Sequence, residues 1–218
     1  MDFYSLFIKV LVYAVPVIFA ITLHEAAHDY VAKRFGDSTA YMLGRVTLNP
    51  VKHIDLVGTI ILPIVTLALS PFMFGWAKPV PVNFSNLRRP KADMLWVAGA
   101  GPVSNLAQLV AWALVAAILA RTVEPTGLVG VYWLSVANAG IEVNIMFALL
   151  NLLPILPLDG GRIVTSVLPD RLSDAWQQTE RFGMLILLVL LFSGVIGWVL
   201  NPLYRGMYKQ TISLIGLA

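Results

Sequence analysis

Two histidines, His24 and His28, stand four residues apart in the stretch TLHEAAHDYVAKRF (22–35), and Glu25 follows the first directly. On an α-helix that spacing puts both imidazoles on one face, where they can grip a single metal ion. Glu25 is rotated away by about 100°. It stays out of the ligand pair yet can reach a water held there. Zinc suits this set: it takes imidazole nitrogen and brings the pKa of water down towards about 7, so that a neighbouring carboxylate can accept the proton. H-E-x-x-H is the pattern in which metallopeptidases use these residue types. The setting adds weight. The motif closes an almost unbroken apolar run, where a charge or an unpaired polar group is expensive, and it holds two of the three histidines in the chain.

A catalytic zinc takes three protein ligands and keeps one position open, so a third is needed. His53 offers nitrogen, but its loop is rich in polar residues and an interfacial histidine explains it better. Asp159 is the stronger candidate. It ends the apolar run NLLPILPLDGG (151–161), after two prolines and before two glycines. Prolines break a helix and free its backbone polar groups, which at membrane depth is tolerated only around a protein-enclosed cavity.

The elements that must position these groups are membrane helices. Of the 218 residues 58% are hydrophobic and 12% charged, about half the charged share of a soluble domain, and the mean hydropathy is +0.79. The expected fold is an all-α membrane protein, one membrane-embedded domain over 1–218 with its core at about 15–165. It is a polytopic helix bundle of about four full spans plus a re-entrant segment. The first helix covers 4–34 and its apolar part 4–23 is long enough to cross a bilayer. Further spans are expected at 93–120, 129–153 and 183–200; residues 201–218 are left unplaced. The first run lacks a basic leader and a cleavage site, so it reads as a retained helix. The run 56–70 is short and holds Pro63, which fits re-entry. Charge supports this: if that run re-enters, 11 of the 15 Lys and Arg lie on one face, and the positive-inside rule makes that face cytoplasmic. Without cysteine there is no disulfide, thiolate ligand or catalytic thiol. Without a basic patch interleaved with aromatics there is no support for nucleic-acid binding.

Between the re-entrant run 56–70 and the span 93–120 lies WAKPVPVN (76–83). Pro79 and Pro81 are two apart, so in a strand their missing N–H groups fall on one edge while Val80 and Val82 present theirs on the other. A short β-strand or hairpin near 76–84 could pair with an unwound substrate. In AGAGPVSN (98–105), Gly99 and Gly101 allow close helix approach, Pro102 kinks the span and Asn105 can bond across the interface; all four read as structural. Asn144 and Glu142 are polar within the span 129–153 and read as cavity-lining. Asp29 is either a partner of the metal ligands or a polar face residue.

In order along the chain, HEAAH, AGAGPVSN and NLLPILPLDGG together resemble the site-2 protease family of intramembrane zinc metalloproteases. The resemblance covers about residues 15–165 and implies a single Zn2+ on His24, His28 and Asp159, with Glu25 as general base. It also implies that Asn151 helps to hold the substrate backbone, and that the substrate is a transmembrane protein cut within the bilayer. No PDZ or CBS domain accompanies the core, so it looks like the compact prokaryotic type, in the inner or cytoplasmic membrane with its site towards the cytoplasm. Other classes fit less well. A transporter or channel needs polar positions repeated through several spans, whereas here they cluster at one depth. A di-iron redox enzyme needs more than three histidines. A non-catalytic binding relative is disfavoured because every matched position is intact.

Overall fold

The computed structural model describes residues 3–69, 75, 78, 81–124 and 127–217. The first helix, α1 (Phe3–Phe35), carries Pro16 in its interior. At 1.5 Å per residue it runs about 50 Å, longer than the bilayer core of about 30 Å. A short helix α2 (Thr39–Met42) and a 3₁₀ turn at Pro50–Lys52 follow. The apolar run then begins as a π-helical stretch, Leu56–Ile61, started by Asp55, whose side chain accepts from the amides of Val57 and Gly58. It continues as α3 (Leu62–Leu69). Pro63 has no N–H to give to the preceding turn, which is where the wider π geometry lies.

Three long helices form the centre. α4 (Pro90–Thr122) runs unbroken through Pro102, and α5 (Leu128–Asn151) returns beside it; both pack on α1 and on each other. Their inward faces are built from small residues, with Ala20, Ala98, Ala116, Ala137 and Ala139 all buried. Their outward faces carry large apolar side chains such as Phe19, Trp96, Val110, Leu114 and Ile118. Lipid gives no hydrophobic force between helices, so close backbone approach over small residues does the packing. α1, α4 and α5 are each long and apolar enough to cross a membrane.

The rest wraps this centre. α6 (Asp159–Val167) packs on α4, and α7 (Asp170–Gln177) follows it. The expected span 183–200 is not one helix. α8 (Glu180–Phe192) ends, Gly194 takes a left-handed conformation at φ 79°, and α9 (Val195–Leu214) leaves at 73° to α8. Glycine adopts positive φ without steric cost, and this breaks the span. With the bent pair counted as one crossing there are up to four spans. The unplaced tail is α9, which lays Tyr204, Met207, Tyr208 and Ile212 on the α4–α5 core.

The expected β-strand near 76–84 does not appear. There is no strand among the described residues: Lys78 and 81–83 are irregular, Phe84–Asn86 form a 3₁₀ turn capped by the Asn83 side chain, and residues 76, 77, 79 and 80 lie outside the description. Two prolines deprive a ladder of donors, and Asn83 spends its side chain on the Ser85 amide instead.

Candidate metal centre

His24 and His28 lie in the last third of α1, one turn apart, 6% and 8% exposed. Asp159 opens α6 after the irregular stretch 152–158. Two glycines bring its helix start this close. A Cβ on Gly160 would sit 2.3 Å from the carbonyls of Leu152 and Leu153, and one on Gly161 2.5 Å from the Leu156 nitrogen. The Asp159 Oδ2 and Oδ1 atoms lie 3.3 Å from the Nε2 atoms of His24 and His28 respectively, and the two Nε2 atoms are 3.0 Å apart.

These three side chains form a group able to hold one metal ion. Ligands at about 2.0–2.1 Å around a tetrahedral zinc are spaced by about 3.3 Å, so the separations fit. The donor chemistry fits too. His28 Nδ1 lies 2.7 Å from the Val97 carbonyl, which can only accept; the ring proton is thus on Nδ1 and Nε2 carries a lone pair. The Oδ2 of Asp159 is buried without a hydrogen-bond partner. On the far side, Gly101 of α4 makes room: a Cβ there would fall 2.3 Å from His28 Nε2 and 2.5 Å from His24 Cε1.

The group opens onto a cleft of about 350 Å³ lined by Glu25, Val82, Phe84, Asn151, Arg162 and Met184 among others. Glu25 is thus beside the trio and outside it. Asn151 is half-buried and donates its Nδ2 to the Phe147 carbonyl of its own helix at 3.0 Å. Arg162 bonds Glu180 at 2.8 Å and lies 5.0 Å from the Phe84 ring. That links α6, α8 and the 84–86 turn around the opening.

Several expectations need correction. Gly99 makes no close approach, because nothing lies within 4 Å of where its Cβ would be; two helical positions about 200° apart cannot both face α1, and Gly101 alone does. Asn144 does not line the cleft: it is fully buried behind His24. Glu142 accepts the Tyr13 hydroxyl instead. His53 is fully buried, bonds the Thr47 carbonyl at 2.8 Å and is apart from the trio. Asp29 is buried with neither oxygen hydrogen-bonded. Pro102 is buried within α4. Val82 is at the cleft wall, and Val80 lies outside the described residues. Sequence reasoning missed the Val97 carbonyl, Phe84, Arg162 and the α8 residues Met184 and Leu187, which only tertiary packing brings here.

The family profile of Peptidase family M50 matches residues 12–194. The chain belongs to that family. This is the site-2 protease family resembled by the three motifs, and its members are embedded in membranes. Three relatives carry zinc-metalloprotease names. YwhC of Bacillus subtilis (strain 168) is 36% identical over 190 residues, covering 87% of this chain and 84% of its own. Rip2 of Mycolicibacterium smegmatis is 29% identical over 187 residues, covering 85% and 68%. Rip3 of Mycobacterium tuberculosis is 30% identical over 207 residues, covering 91% of this chain but 42% of Rip3. No solved structure matches. The protein is a zinc metalloprotease, and zinc is its cofactor.

Proposed function

We propose that this M50 protein is an intramembrane endopeptidase. It hydrolyses peptide bonds within or near transmembrane helices of membrane-protein substrates, as a step in regulated proteolysis at the inner or cytoplasmic membrane, with its site towards the cytoplasm. One observation carries the reading: ligand atoms of His24, His28 and Asp159, from α1 and α6, converge beside a carboxylate and a cleft.

His24, His28 and Asp159 would hold the zinc. When bound, it supplies Lewis acidity, polarising a carbonyl and making water acidic near neutral pH. Glu25 then takes the proton as the water oxygen adds to the carbonyl carbon, and delivers it to the amine nitrogen as the C–N bond breaks. A helix hides its peptide bonds, so the substrate must be extended first. Val82 at the cleft wall would flank the extended segment, and Asn151 offers an amide to its backbone.

The test is Glu25→Gln in proteoliposomes holding a transmembrane reporter. Zinc content should stay at one per chain while cleavage falls by roughly 10²–10⁴-fold. Undiminished cleavage would refute the assignment.

A further inference from the structure

Behind His24 lies a chain of buried amides whose direction is fixed from its far end. The Gly140 carbonyl of α5 can only accept, and Asn144 donates its Nδ2 to it at 2.9 Å. A carboxamide has one donating and one accepting end, so the Oδ1 of Asn144 must point the other way. There it meets the Nδ2 of Asn105, on α4, at 2.9 Å. That same Nδ2 also donates to the Ala20 carbonyl of α1, at 3.3 Å. The Oδ1 of Asn105 is left facing His24 Nδ1 at 2.7 Å.

We propose that Asn105 and Asn144 are positioning residues: they pass the acceptor character of the Gly140 and Ala20 carbonyls on to His24, fixing its proton on Nδ1 and leaving Nε2 free to bind zinc. This rests on the reading of His24 as a zinc ligand. Flipping Asn105 would put its NH₂ against His24 and its oxygen against two acceptors, the Ala20 carbonyl and Asn144 Oδ1. Asn105 and Asn144 are both 0% exposed, so water cannot relieve such contacts. The two histidines thus reach the same tautomer by different routes. His28 is set in one step by Val97 of α4, and His24 through Asn105 by the Ala20 carbonyl of α1 and, one amide further on, by the Gly140 carbonyl of α5.

The experiment measures zinc affinity by competition with a chromophoric chelator, and separately the thermal unfolding of zinc-free protein. The variants are Asn105→Leu, Asn105→Asp, Asn144→Leu and His24→Ala. Asn105→Leu removes the acceptor and should weaken zinc binding 10–100-fold. Asn105→Asp keeps an acceptor against His24 and should bind zinc within a few-fold of the parent, although it loses the same two donor bonds. Asn144→Leu frees the amide of Asn105 to turn and should fall between them; it also carries the test if Asn105→Leu does not fold. A purely structural role would lower stability in both Asn105 variants and affect zinc equally in both. That equality, or parental affinity in Asn105→Leu, would overturn the proposal. Parental affinity in His24→Ala would instead overturn the ligand reading, and the positioning role with it.

Discussion

At residue 101 a missing side chain makes the room. A Cβ there would overlap both imidazoles, and a shift of even 1 Å spoils a coordination sphere. Gly101→Ala should therefore lose most of its zinc while α4 stays helical, since alanine is the better helix former by about 1 kcal/mol. Gly99→Ala, facing open space, should bind zinc normally. Zinc analysis beside circular dichroism separates the two; a fully loaded Gly101→Ala would refute this account. The difference between these glycines is invisible in AGAGPVSN, which shows both equally. What the sequence does show at this scale is the i, i+4 histidine pair and the glutamate beside it, because helical geometry alone sets their relation. Asp159 was readable as a candidate because a carboxylate after two prolines at membrane depth is costly without a role. Asn144 was readable as polar, but its polarity alone places it wrongly, on the cavity wall. Its place behind His24 depends on contacts between α4 and α5 that no local pattern encodes.

Among elements, the end of α1 and the turn carrying Val82 and Phe84 are joined by Asp37, which is 1% exposed. Its carboxylate accepts from the Thr39 amide at 3.0 Å and from the Thr39 hydroxyl. It also takes the Asn83 amide at 2.7 Å and the Asn86 side chain at 3.2 Å. Burial alone would raise its pKa, but the Thr39, Asn83 and Asn86 bonds outweigh that and hold it below the usual carboxylate value. A carboxyl more acidic folded than unfolded adds stability that is fully present above its unfolded pKa, about 4, and is lost as pH falls through the lower folded value. Asp37→Asn should cost about 1–3 kcal/mol at neutral pH and flatten the acid limb of the stability curve. Thermal unfolding of both proteins from neutral pH down to about pH 3 checks this; parallel curves would sink it. The long helices were legible as apolar runs. The break at Gly194 was not, because hydropathy averages over a two-residue interruption. The face of α9 was available as apolar residues at 204, 207, 208 and 212, but its polar composition hid it.

For the whole molecule, the ends of the apolar segment beginning at Leu56 meet. The Lys78 amide donates to the His53 carbonyl at 2.9 Å, Arg45 donates to the Lys78 carbonyl at 3.1 Å, and a Cβ on Gly75 would strike the Gly58 carbonyl. Ends that bond together are what a re-entrant segment requires, and re-entry is the expectation to test. The chain has no cysteine, so a single one introduced is a clean reporter. Lys52→Cys and Arg88→Cys should react with a membrane-impermeant maleimide from the same side of sealed vesicles. Labelling from opposite sides would make the segment a true span. The trio has a consequence in time as well as space. His24 and His28 leave the ribosome early and Asp159 late, after α4 and α5 have been made. A nascent chain therefore has no complete metal site until α4 and α5 have been made. The three-ligand site thus forms only once synthesis has passed Asp159.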